Sequence, residues 1–257
     1  MFTRATVFAM SSIALAFGCG ADQLDSAEAT QEIIDNLVQA GFPDNDIMVV
    51  DGAVYVGRDA HVTLEASREM LETGDASAEQ YRTTNLVSGK TKICINPTSS
   101  FNSYSRLSAG LDAAIANYNA QPLVFDMARG PTTGCSANIA AKTMSGVGGS
   151  AGFPSGGNPY GTINIGTGLQ SYSAGVNEHV ISHELGHTIG FRHSDYYNRA
   201  ISCGSGGNEG SAGVGAIHIP GTPTTASVGG SIMNSCFRST ENGNFTSSDI
   251  TALNYLY

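Results

Sequence analysis

The chain of 257 residues carries 32 glycines, 12 Lys and Arg against 22 Asp and Glu, a net charge of −10 and no tryptophan. That length suits one catalytic domain with a sizeable core plus a smaller leader. The acidic balance, with the basic residues in no block, excludes a nucleic-acid partner, because phosphate binding needs clustered Lys and Arg; a charged fraction of only 13% fits an exported chain better than a cytosolic one.

The N-terminus reads as a targeting segment. Arg4 precedes an uncharged run from Ala5 to Gly18, too short for a stable membrane span. It ends in "LAFGCG", which resembles a bacterial lipoprotein signal with Cys19 as the lipidated first residue. An ordinary signal peptide cleaved nearby stays open. Residues 1–19 are excluded from the fold in either case. The expectation is export, either to the outer membrane or cell surface with attachment through Cys19, or as a freely secreted protein.

Residues 20–85 read as a small αββα leader, a propeptide or a lasting accessory unit. In "AEATQEIIDNLVQAGF", Ile33, Ile34, Leu37 and Val38 share one helical face, closed by Gly41 and Pro43. "DIMVVDGAVYVG" holds two apolar runs around Asp51-Gly52, a hairpin signal. "DAHVTLEASREMLETG" predicts a second helix ending at Gly74.

Residues 86–257 predict a mixed α/β domain with a twisted sheet and two main helices. "KTKICINP", "LVFDMA", "SANIAAKTM" and "TINIGTGL" read as strands, and the glycine-rich run from Ser145 to Gly161 as a long surface loop. The first helix turns Leu107, Leu111, Ala114, Ile115 and Tyr118 inward, and the second Val176, Val180, Ile181, Leu185 and Ile189. Past Cys203 lies an irregular lower subdomain, then a C-terminal helix in "SSDITALNYLY". With Cys19 set aside, four cysteines allow three pairings. Their grouping before and after a histidine cluster predicts Cys94–Cys135 and Cys203–Cys236, which an oxidising compartment permits.

That cluster is "HELGHTIGFRH", His183 to His193. His183 and His187 are four apart, which on a helix puts both imidazoles on one face. Glu184 points off that axis, near enough to take a proton from a metal-bound water. Gly190 can adopt the positive φ that ends the helix, so that His193 returns toward the same ion. Three neutral imidazoles plus a water form an open tetrahedral zinc site. A solvated helix with chance histidines is the bland alternative, and five fixed positions in eleven weigh against it.

The motif resembles the signature of the metzincin zinc endopeptidases. With "HIPGTPT" and "SIMNSC" downstream it resembles, more narrowly, the bacterial dual-action HEIGH metallopeptidase family. The resemblance implies a metzincin-like zincin domain with one catalytic zinc on His183, His187 and His193. Glu184 would be the base that activates the metal-bound water. Met233 would be the residue of a methionine turn beneath the metal, packing rather than ligating. Protein or peptide substrates are implied, lying extended along an edge strand, expected to be "YGTINIG". Some metzincins place a tyrosine two residues after this methionine; Ser235 stands there, and Tyr196 or Tyr197 is the remaining hydroxyl candidate.

His179 reads as a buried or solvated bystander, and His218 as a loop histidine or a cleft-lining one. Glu209 tests a thermolysin-type ligand set, with a glutamate in place of His193 as third ligand; the glycines around it argue against the helix that set needs. A non-catalytic surface binding module derived from a protease is the rival of another class. The segment from Cys203 to Cys236 is expected to form the lower wall of the cleft, with its disulfide across the floor. A monomer is expected, and structural calcium stays open. Latency through a leader thiol is disfavoured because no cysteine follows Cys19 there; a leader carboxylate such as Asp51 or Asp59 stays open.

Overall fold

The computed structural model describes residues 26–50, 52–56, 59–71, 80–209 and 215–257. Cys19 and the targeting segment, Asp51 and Gly74 lie outside the described residues. Helix α1 (Ser26–Gln39) buries Ile33 and Leu37, the inner edge of the face expected from spacing. It ends at Gly41, with φ 94°. Strands β1 (Met48–Val50) and β2 (Ala53–Val56) form the expected hairpin, with Val50 opposite Ala53.

The next segment departs from expectation. Residues Ala60–Val62 form a third strand, β3, and helix α2 is only Leu64–Glu69. Ala60 and Val62 are buried and alternate with His61, a period of two that suits a strand. Thr63 caps α2, its hydroxyl accepting from the Ala66 N–H at 3.2 Å. The leader is therefore αβββα, and its third strand joins the sheet of the larger half.

Strands β4 (Tyr81–Arg82), β5 (Lys92–Pro97), β6 (Asp126–Arg129), β7 (Ala137–Met144), β8 (Gly149–Gly152), β9 (Thr162–Gly166) and β10 (Ile217–His218) complete the set. One sheet of eight strands runs β1-β2-β3-β8-β9-β7-β5-β6, and β10 pairs with β4 separately. Pairs β7–β9, β7–β5 and β5–β6 are parallel, β8–β9 is antiparallel and β3–β8 is parallel. In β5, Ile93, Cys94 and Ile95 are all buried, as a parallel strand covered on both faces requires.

Helices α3 (Ser99–Ser103) and α4 (Ser105–Asn119) follow β5, and α5 (Ala174–Thr188) follows β9. Helices α4 and α5 cross closely: a Cβ on Gly110 would lie 3.0 Å from Asn177 Cβ. The inner faces of both are those the spacing predicts, all buried. Short α6 (Ala200–Cys203) and the last helix α7 (Ser247–Leu256) flank the irregular lower part. Among the described residues no helix is long and apolar enough to cross a membrane.

Two findings correct the strand reading. The glycine-rich run is not a surface loop throughout; it contains β8, where Ser150, Ala151 and Gly152 are buried. Its glycines mark close packing, since a Cβ on Gly149 would overlap the Glu184 carboxylate and one on Gly152 the His61 carbonyl. Strand β9, the "TINIG" of "YGTINIG", lies inside the sheet between β8 and β7, so it offers no free edge.

The larger core gathers β5, β7, β9, α4 and α5 around Ile93, Leu111, Ile139, Ile163 and Leu185. The leader has its own core of Leu37, Val54, Val56, Val62 and Met70, and Phe153, just after β8, packs into it. Both expected disulfides form, Cys94–Cys135 and Cys203–Cys236.

Candidate metal centre

Helix α5 starts at Ser173, whose hydroxyl accepts from the Val176 N–H at 3.2 Å. Its residues are buried on nearly every side, so it is a core helix carrying polar groups into the interior. It ends as the sequence predicts. Gly190 has φ 111°, the Phe191 N–H donates to Gly186 O at 3.0 Å and the Gly190 N–H to His187 O at 3.0 Å. These are the two bonds of a glycine-terminated helix end. A Cβ on Gly190 would stand 2.8 Å from Asn85 O.

The turn after Gly190 is held from outside. Thr83 N–H donates to Gly190 O at 2.8 Å and Arg192 N–H to Tyr81 O at 2.8 Å, so residues 81–83 run antiparallel beside the motif. Gln80 reaches further, its amide donating to Ser231 Oγ at 2.8 Å and Asp249 Oδ1 at 3.1 Å. These residues precede the domain boundary expected at 85/86, yet they brace the site.

The three imidazoles converge. His183 Nε2 lies 3.0 Å from His187 Nε2 and 3.2 Å from His193 Nε2. Each Nδ1 faces an oxygen: Ile232 O at 2.9 Å for His183, Phe191 O at 2.8 Å for His187 and Glu209 Oε1 at 2.7 Å for His193. A carbonyl or carboxylate accepts only, so each Nδ1 donates, which leaves the Nε2 lone pairs of His183 and His187 toward the common point, while His193 Nε2 also faces Asp59 Oδ2 at 3.3 Å. Burial, then the neighbouring imidazole of His193, holds His183 down at about 4. Burial and the other two imidazoles hold His187 well below an ordinary histidine. At His193 burial opposes charge, but Asp59 and Glu209 outweigh it and raise the pKa. The field that favours a proton there favours a cation equally.

Two buried oxygens near this point lack donors among the described residues, Glu184 Oε2 and Asp59 Oδ1. Glu184 is 2% exposed, and burial followed by Asp59 raises its pKa well above the carboxylate norm. Orphaned carboxylate oxygens beside three inward Nε2 atoms fit a divalent ion and its ligands. Asp59, His183, His187 and His193 each bring a ligand atom within 4.8 Å of the others.

Met233 sits beneath, 3% exposed, and a Cβ on Gly186 would meet its Sδ at 2.6 Å. Its carbonyl accepts from the Ser194 N–H at 2.8 Å. The turn around it is fixed by Asp249, which accepts from Ser231 Oγ at 2.6 Å and the Ile232 N–H at 3.0 Å while capping α7 with Thr246. Asp195 fixes the other side, accepting from the Ser235 N–H at 2.9 Å, its Oγ at 2.8 Å, and Ser202 Oγ at 2.5 Å. Ser235 is thus spent on Asp195. The sequence reading missed Asp195 and Asp249; the only sequence signal was Asp195 two residues after His193.

Glu209 is buried at 1% exposure, outside any helix, behind His193 rather than beside the converging Nε2 atoms. Arg199 Nη1 donates to it at 2.8 Å and Arg192 Nη2 stands 3.5 Å away. Despite burial, His193 and the two guanidiniums hold its carboxyl down at about 2.

A cleft of about 270 Å³ opens onto Glu184, bounded by Asp59, Gly149, His179, Ser235 and Cys236. His179 is therefore buried but lines the cleft; burial first, then His183, keeps it low at about 4. The hydroxyl candidates lie elsewhere: Tyr197 Oη accepts from the Ala226 N–H, and the Tyr196 ring packs edge-on against Tyr81 at 4.3 Å. His218 sits on β10, bonded to Thr222 Oγ1 at 2.9 Å, away from the cleft lining.

Three converging histidines and a carboxylate that could hold a metal ion, in a cleft beside buried Glu184 on a mixed α/β fold, are the arrangement a metallopeptidase needs. The family model described as dual-action HEIGH metallo-peptidase matches residues 54–257, and the chain belongs to that family. No curated protein matches the chain.

Proposed function

We propose that the protein is a zinc-dependent endopeptidase of metzincin type that cleaves extended protein or peptide substrates. The observation that carries this reading is the convergence of three buried Nε2 atoms, each Nδ1 anchored, beside Glu184 Oε2, which has no hydrogen-bond partner among the described residues. His183, His187 and His193 would hold the ion, and a tetrahedral set of three imidazoles suits zinc. When bound, such an ion lowers the pKa of a coordinated water and polarises a carbonyl.

The chain's own groups do the rest. Glu184, desolvated and packed against the Gly149 backbone, is a strong base in a dry site; it takes the proton of the attacking water and hands it to the leaving amine. Met233 and Gly186 set the floor under the imidazoles, and Ile232 O, Phe191 O and Glu209 fix their tautomers. The peptide would lie in the cleft bounded by Asp59, Gly149, His179 and Ser235, which brings its scissile bond beside Glu184. Export, as lipoprotein or secreted protein, belongs to the same proposal and is supported by the two disulfides.

Purified protein tested on casein or gelatin, with Glu184→Ala as control, decides the matter. Wild type is expected to cleave and to lose activity to a chelator; wild type no more active than the mutant would sink the enzyme reading. His193→Ala is expected to lose the metal, whereas Glu209→Ala weakens metal affinity by about 10–100-fold without abolishing it, as loss of a partner behind a ligand does. The reverse order would favour Glu209 as the third ligand.

A further inference from the structure

Helix α5 brings one more polar side chain to the cleft than the proposed reaction uses. His179 lines it beside Val147, Val180 and Phe237 and is 4% exposed. Its Nε2 is buried without a hydrogen-bond partner among the described residues. A buried polar atom in that condition is costly, and in a binding cleft the group that satisfies it comes from the ligand.

The other ring nitrogen is backed by a carboxylate. Nδ1 lies 3.7 Å from Glu241 Oε2. Arg238 holds that carboxylate, Nε donating to Oε1 at 2.7 Å and Nη2 to Oε2 at 3.2 Å. The segment packs tightly on the start of α5, where a Cβ on Gly175 would stand 2.5 Å from Glu241 O. Glu241 is not among the residues that bound the cleft, so the ring turns Nδ1 away from the substrate space and Nε2 toward it. Burial keeps the imidazole neutral, with a single hydrogen to place. A carboxylate facing Nδ1 draws that hydrogen to its own side and leaves the lone pair on Nε2.

Spacing along the helix says which part of a substrate meets it. His179 and Glu184 are five residues apart on α5, a rise of about 7.5 Å. An extended peptide advances roughly 3.3 Å per residue, so a chain whose scissile carbonyl stands beside Glu184 passes His179 about two residues further along. What any extended chain presents there, whatever its sequence, is a main-chain N–H or carbonyl. A lone pair selects the N–H.

We propose that His179 is a substrate-binding residue, its Nε2 accepting a hydrogen bond from a main-chain N–H of the peptide about two residues from the bond that is cut. Glu241 and Arg238 hold the ring in the accepting tautomer. The contact reads backbone and not side chains, so it favours an extended chain over any particular sequence. The proposal rests on the reading of the cleft as the substrate site of a peptidase, and it adds to that reading a residue outside the metal motif.

Backbone methylation of the substrate tests this. A short peptide spanning a casein cleavage site mapped by mass spectrometry is made as a parent, and as a series in which each backbone nitrogen except the scissile one is methylated in turn. The kcat/KM of the full chain, His179→Leu and His179→Gln is measured on each. His179→Leu is expected to lower kcat/KM on the parent peptide by about tenfold or more, with zinc content and melting temperature unchanged. His179→Gln, which keeps an acceptor at similar reach, falls by less and guards against a folding defect in the leucine variant. At one nitrogen, methylation costs the wild type about tenfold or more and costs His179→Leu little, because the contact is already gone. Methylation that costs both proteins equally at every position would overturn the proposal and leave the peptidase reading standing. A loss of activity in His179→Leu that follows a loss of zinc would do the same. A wild type that cleaves no casein would overturn both.

Discussion

Gly190 shows how much one residue carries. Its φ of 111° lies outside what an L side chain adopts, and Asn85 O closes the space where a Cβ would go. Gly190→Ala is expected to destabilise by about 1–3 kcal/mol and to misplace His193, read as a lowered melting temperature and weaker metal retention. Glu209 acts through charge. Glu209→Ala leaves Arg192 and Arg199 buried without their carboxylate, at a cost of about 3–5 kcal/mol in denaturant unfolding. Its pH dependence has a definite sign. The folded carboxyl sits near 2 against an ordinary 4.5, a depression. The stabilisation is therefore present above about 4.5 and lost as pH falls through about 2. Acid unfolding curves of Glu209→Gln are expected to lose that portion of their slope.

At the scale of elements, β8 is where sequence and structure part most. Its glycines read as loop because glycine carries no periodic apolar signal, yet they allow Glu184 and the His61 backbone to approach. Gly149→Ala is expected to displace the Glu184 carboxylate and to lower kcat on casein by at least about tenfold with little change in metal content. Helices α1, α4 and α5 were legible because an apolar face repeats over several turns, and the histidine motif because its spacing states its own geometry. Strand β3 was not legible. Three residues are too few to separate a period of two from the helix that follows, and its partner lies some ninety positions away, at Ala151. Asp195 and Asp249 were invisible for a related reason: their partners, Ser235 and Ser231, are brought to them by the fold alone.

At the scale of the whole molecule, residues 80–84 matter more than their place between the halves suggests. A chain beginning at 86 loses the pairing of Tyr81 and Thr83 with the motif turn and the Gln80 ties to the methionine turn. It is expected to melt lower and to retain metal less well than one beginning at 80, a comparison that thermal unfolding with and without chelator checks. The Cys203–Cys236 bridge spans 33 residues under the cleft; removing it with two serines is expected to cost about 3–4 kcal/mol. Phe153 joins the two halves more deeply than any loop. It leaves β8 to fill the leader core, while its ring meets His187 edge-on at 5.7 Å. A single scission of the chain between the halves would therefore not part them. It would turn a tethered contact into a two-body equilibrium, and the severed leader is expected to stay bound until dilution or digestion removes it.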